Sequence, residues 1–299
     1  MTKDKWHGHL AILATNFIFG LNTPIAKTIV PTWISPYGLT LLRMSFAAII
    51  FWIVGLFVAK EKISNRDLVV IFFGALFGLV GAQLSFANAL LYASPVNISI
   101  IAAMTPVVVM LLAALVLKEP ITFKKAAGVL IGASGALLII LHSISGTSKA
   151  GSMLGNLLCI VNVITYAIYL VITRPVSQRY SPIALMKWMF LFSALISLPF
   201  GFTDLIEAPA FRSGVKLHVL LRIAYIVIMA TGIAYFLVPM ALRRIRPTTA
   251  SMYNNLQPII ASIIAILIGQ DIFSWDKPAA ALLVFAGVYL VTQSKAKEN

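Results

Sequence analysis

Ten blocks of about twenty residues, apolar along most of their length and bounded by charge, proline or glycine, follow one another with short connections. They lie at roughly residues 9–29, 36–59, 67–91, 96–117, 123–142, 151–173, 182–201, 217–241, 248–269 and 277–294. An α-helix rises about 1.5 Å per residue, so each block matches the ~30 Å hydrocarbon thickness of a bilayer. None shows the alternating, roughly ten-residue pattern of a membrane β-strand. The expected fold is therefore all-α and integral to the cell (inner or plasma) membrane, with ten transmembrane helices and the lipid bilayer as its first partner. Composition agrees, because 60% hydrophobic residues against 11% charged, with a mean hydropathy of +0.97, suits lipid and not water.

Lys3 and Lys5 ahead of the first block resemble the start of a secretory signal. That block runs on to about Val30 without a small-residue cleavage site after a short apolar stretch, so it reads as span one. A net charge of +14 raises the question of nucleic acid. Binding a polyanion needs a basic face or run, whereas the cations here stand in ones to threes between apolar blocks, so no nucleic-acid partner is expected. Their distribution has a simpler meaning. Alternate connections collect sixteen Lys and Arg on one side, among them Lys60, Lys62, Lys118, Lys124, Arg243 and Arg244, against six on the other, among them Lys27, Arg212 and Lys216. The positive-inside rule then predicts both termini in the cytoplasm.

The single cysteine, Cys159, cannot form an internal disulfide. His7, His9, His142 and His218 have no metal-ligand spacing, and no nucleophile stands with a base or paired acids. Neither a catalytic residue, a metal site nor a cofactor is expected, and the chain is read as not an enzyme. An intramembrane enzyme and a channel are the readings of other classes. A channel would conduct without saturation.

A shift of 152 residues without a gap pairs Pro95 with Pro247, Pro106 with Pro258, Glu119 with Asp271, Lys125 with Lys277 and Gly135 with Gly287. With small slips, Ser35-Pro36 matches Ser181-Pro182. The chain thus divides into residues 1–146 and 147–299, five spans each. An odd number of spans per copy makes the second enter the membrane from the opposite side, giving two inverted five-helix repeats, an arrangement suited to alternating access.

These features resemble the drug/metabolite transporter superfamily, and within it the ten-helix EamA-type permeases: the five-plus-five repeat, LKEPIT and the weaker IGQDIFSW after spans four and nine, and Arg43 in LLRMSF early in span two. The resemblance implies a permease that exports amino acids or related compounds, with a peripheral span two. The second repeat departs from the first at Asp271-Ile272, where the first has Glu119-Pro120, and at Met189, where the first has Arg43.

Proline inside a helix removes a donor and frees the carbonyl four residues back, here Ala102 for Pro106 and Asn254 for Pro258. Lipid does not tolerate such a carbonyl, so both prolines are expected where spans four and nine line a central cavity and bend during gating. Polar side chains inside the spans mark the same place. Asn16, Asn22, Gln83, Asn162, Tyr166, Tyr169, Tyr235, Tyr253, Asn254 and Asn255 are the candidate cavity residues. Asn162 and Tyr166 share a helix face and Tyr169 extends it. Gln83 and Tyr235 are equivalent under the shift and are expected on opposite sides of the midplane. Glu119 and Asp271 are expected at membrane edges, as end-of-helix charges paired with Lys124 or Lys277. The GxxxG spacings Gly74/Gly78 and Gly128/Gly132 allow close helix approach, the second within the monomer or at a homodimer face.

The function expected is secondary transport of a small organic metabolite, its small-molecule partner. A cavity of amides and tyrosines without fixed acids suits a neutral or zwitterionic solute. The alternative on the same fold is an exchanger of anionic metabolites or nucleotide sugars, which needs a deep cation, and Arg43 is the one candidate.

Overall fold

The computed structural model describes residues 3–93, 98, 101–102, 104–144, 153–212, 215–257, 259–260, 263 and 275–293. All regular structure among them is helical. The elements are α1 (Lys3–Lys27), α2 (Pro36–Leu56), α3 (Asn65–Tyr92), α4 (Thr105–Val116), α5 (Phe123–Ile144), α6 (Met153–Arg179), α7 (Pro182–Ile206), α8 (Leu217–Leu242), α9 (Pro247–Met252) and α10 (Asp276–Gln293). Six of them, α1, α2, α3, α6, α7 and α8, are long and apolar enough to cross a membrane. α4 and α9 are described over lengths shorter than a span.

The starts of α2 and α7 are written alike in sequence and fold alike. Ser35 and Ser181 are N-caps whose hydroxyls accept from the Gly38 and Ala184 N–H groups at 2.9 and 3.3 Å, and the proline that follows costs no helix bond in the first turn. Ser35 also donates to Asp204 at the far end of α7, 2.5 Å away. α2 and α7 therefore run antiparallel, with Gly38 against Asp204 and Gly55 against Lys187. The same relation recurs three times. α1 lies antiparallel to α8 (Gly8 on Arg244, Tyr225 hydroxyl on Ile18 carbonyl), α3 to α6 (Gly74 on Thr173, Gly155 on Tyr92) and α5 to α10 (Gly128 on Leu290, Gly132 on Gly287). Each pair joins an element before residue 146 to one after it, so the halves interleave. A Cβ on Gly287 would stand 2.7 Å from the Gly132 Cα, so the Gly128/Gly132 pair serves packing within the chain.

Two helices carry wide turns. Ala75–Gly81 in α3 and Tyr225–Ile233 in α8 are π-helical, and Thr231 donates to the Ile226 carbonyl five residues back at 2.8 Å. At the end of α4 the left-handed backbone of Lys118 (φ 53°) returns the Glu119 N–H to the Ala113 carbonyl at 3.2 Å. Glu119 thereby meets Lys125 at 2.6 Å and Thr248 at 3.3 Å, and not the Lys124 expected from sequence, because Lys125 lies on the inward face of α5 with its side chain fully buried; the Lys277 side chain lies outside the described residues. Asp271 lies outside the described residues.

Candidate functional site

The π-helical turns shift the helix register just ahead of the residues that matter. Gln83 follows the wide turn of α3, Thr231 lies in that of α8 and Tyr235 follows it. These side chains converge on Arg43, which α2 inserts between α3 and α8 with 4% of its surface exposed. The guanidinium donates from Nε to Thr231 Oγ1 at 2.6 Å, from one terminal nitrogen to Gln83 Oε1 at 2.5 Å, and from the other to the Ala230 carbonyl at 3.4 Å. The Gln83 amide nitrogen donates to the Tyr235 hydroxyl. Gln83 and Tyr235, equivalent under the 152-residue shift, are therefore in direct contact.

Beside this network lies a cavity of about 100 Å3, reached by residues of α1, α2, α3, α4, α6, α8 and the turn after α9. Of the ten candidates named from sequence, Asn22, Gln83, Asn162, Tyr166, Tyr235 and Asn254 line it. Asn162 also donates to the Ala82 carbonyl at 2.7 Å, which ties α6 to α3. The other four do not reach it. Asn16 accepts from Gln257 at 2.8 Å and donates to the Ile12 carbonyl at 2.9 Å, linking α1 to the turn after α9. Tyr169 turns into the core over Gly78, whose missing Cβ leaves room for the ring, and its hydroxyl has no partner. Tyr253 bonds His9 at 2.8 Å. Asn255 is buried beside Gly132 with both polar atoms unpartnered.

Pro106 occupies the first turn of α4, where the missing N–H breaks no bond, and Thr105 donates its hydroxyl to the Ala102 carbonyl at 2.6 Å. The carbonyl that a mid-helix proline was expected to free is thus satisfied, while Ala102 and Thr105 themselves line the cavity. Pro258 lies outside the described residues. Gln257 lines the wall too, and stood out in sequence as an amide inside span nine. Phe19, Thr23, Ala82 and Phe86 also line it and were not among the candidates, since apolar side chains and a Thr in an apolar block carry no signal of their own. Arg43 did carry one, as the one cation deep in a span, but a peripheral span two argued against it.

No carboxylate lines the cavity among the described residues, and no three His, Cys, Asp or Glu side chains converge to hold a metal. At the end of the bundle where α1 begins, the cavity is closed by packed rings. Tyr235 meets Phe19, Phe190 and Tyr169 at centroid distances of 5.7, 6.1 and 6.5 Å, and Phe51 stacks on Phe190 behind them. Beyond the rings, Arg174 donates to the Ile245 carbonyl, and the His9–Tyr253 and Glu119–Lys125 contacts close the same end.

Residues 6–141 and 153–293 match the EamA-like transporter family. The chain is similar to the uncharacterized transporter YyaM of Bacillus subtilis, at 24% identity over 97% of each chain. An uncharacterized transporter of Archaeoglobus fulgidus is 23% identical over 88% of this chain and 91% of its own. A WAT1-related protein of Arabidopsis thaliana is 22% identical over 97% of this chain and 92% of its own. A solved crystal structure at 20% identity superposes with a TM-score of 0.76 over 98% of this chain and 99% of that one, which is a shared fold.

Proposed function

The chain belongs to the EamA-like transporter family, and on that premise we propose that it is a secondary transporter which moves a small organic metabolite by alternating access through the cavity beside Arg43. It is a multi-pass protein of the cell membrane. The observation that carries the proposal is a polar cavity at the junction of interleaved antiparallel helix pairs, closed at one end by aromatic rings and side-chain contacts. Rocking of one half against the other would open that end and close the opposite one.

The repeat reading has ten spans in two inverted units, residues 1–146 and 147–299. The separate family matches to residues 6–141 and 153–293 support it, as do the paired Ser-Pro caps and the π-helical turns recurring near the 152-residue offset. With both termini cytoplasmic, the ring-closed end faces the cytoplasm and the cavity lies toward the outside. Pro106 and Pro258 then belong to the segments that move.

Export of amino acids or related compounds fits walls that offer amides, hydroxyls and aromatic faces. The second reading, exchange of anionic metabolites or nucleotide sugars, is favoured by one observation, the buried cation Arg43 at the cavity wall. Uptake of a metabolite panel into proteoliposomes, with and without a pH gradient, tests the transport reading. Saturable, protein-dependent flux of at least one compound is expected. Flux rising linearly with concentration for every compound that enters would make the protein a channel.

A further inference from the structure

Arg43 carries a full positive charge in a membrane span, and no carboxylate among the described residues pairs with it. The ion pairs among the described residues join Lys125 to Glu119 and Arg179 to Asp67, at the margins of the bundle, and Arg43 is bound only by a hydroxyl, an amide and a carbonyl. These three acceptors take three of the five guanidinium N–H groups, and the Ala230 contact is long at 3.4 Å. An uncompensated buried charge is costly, and such residues in membrane spans commonly serve as the counter-ion of a ligand. The partners also fix the group. Thr231 donates its own proton to Ile226, so its oxygen is turned to Arg43, and Gln83 is oriented by donating one amide proton to the Tyr235 hydroxyl. The planar fork is held still at the wall, with N–H groups to spare.

We infer that Arg43 is the anchor for a substrate carboxylate, and that the protein selects organic acids with one negative charge at that end and an apolar or aromatic body. This rests on the reading of the cavity as the transport site. The body would lie against Phe19, Phe86 and Tyr166. An ammonium group has no counterpart among the described residues, because no Asp or Glu of theirs lines the cavity and Arg43 repels it. Binding therefore depends on the acid end, and an α-amino group adds nothing.

The test uses three compounds that differ only in these groups, 3-phenylpropanoate, phenylalanine and 2-phenylethylamine, titrated into purified wild-type protein by calorimetry. The acid binds at least as tightly as the amino acid, and both bind about tenfold or more tighter than the amine. Arg43→Gln weakens the acid by about tenfold or more. Gln83→Glu supplies an internal counter-ion beside the guanidinium. It weakens the acid to a similar degree while the melting temperature holds or rises, and it decides the matter if Arg43→Gln does not fold. An amine that binds as well as the acid, an acid indifferent to Gln83→Glu, or an acid that does not bind at millimolar concentration overturns the inference. Flux separates the two readings. Saturable transport of the amine with no preference for the acid removes the anchor and leaves a transporter, whereas tight acid binding without saturable flux of any of the three keeps the anchor and removes the transport reading.

Discussion

The amide of Gln83 donates to the hydroxyl of Tyr235, and the two residues stand 152 positions apart, the offset that registers the two halves of the sequence. Residues related by a two-fold axis touch each other only on the axis. In the inverted-repeat arrangement proposed here, this contact marks the centre about which the halves exchange their roles. Arg43 fastens to it through the other end of the same amide.

Tyr235→Phe is expected to release Gln83 and leave the Arg43 fork free to turn. The lost hydrogen bond costs about 1 kcal/mol of stability, and transport falls about tenfold. Thermal melting and saturating flux on the same preparation check both numbers. A large drop in melting temperature with flux unchanged per folded molecule would make the contact structural only.

The Glu119–Lys125 pair yields a stability prediction. Glu119→Gln leaves the buried Lys125 ammonium without a counter-charge and destabilises by about 3 kcal/mol, whereas Glu119→Gln with Lys125→Met recovers most of the loss. A double-mutant cycle in thermal denaturation reads the coupling directly. Additive losses would mean that the two charges act separately.

Much of this architecture was legible because bilayer thickness sets span length and the serine-proline caps repeat. The candidate site was legible as a cluster and not member by member. Tyr166 and Tyr169 fall on one broad helix face, and what separates them is Gly78 on another helix, which admits only the second ring into the core. Asn254 and Asn255 differ by one step of helix rotation, yet one meets the cavity and the other Gly132. The 152-residue shift pairs Gln83 with Tyr235, but the π-helical turns of α3 and α8 just ahead of them were not read from the sequence, and neither was the hydrogen bond that joins the two.

Pro106 in a first turn carries a different expectation from Pro106 in a helix middle. Pro106→Ala is expected to change stability by less than about 1 kcal/mol and leave maximal flux near wild type. Thr105→Val, which strips the Ala102 carbonyl of its partner at the cavity wall, costs about 1 kcal/mol and impairs flux more. The reverse order, with Pro106→Ala slow and Thr105→Val normal, would restore the proline to a gating role of its own.

Orientation is checked with single cysteines at exposed Lys62, Lys124 and Lys27 in a Cys159→Ala background, the native thiol being buried. An impermeant maleimide added to intact cells is expected to label the Lys27 position and neither of the others. Labelling at Lys62 or Lys124 from outside would invert the topology and put the ring-closed end outside.

Counterflow tests the central claim most directly. Proteoliposomes loaded with unlabelled 3-phenylpropanoate are diluted into the labelled acid, comparing wild type with Ala102→Phe, which builds a ring into the cavity from its own wall. The account predicts transient accumulation of label above equilibrium by the wild type, saturating with concentration, and none by Ala102→Phe at an unchanged melting temperature. Equal accumulation by both proteins would mean that the solute does not pass through this cavity, and would contradict the account.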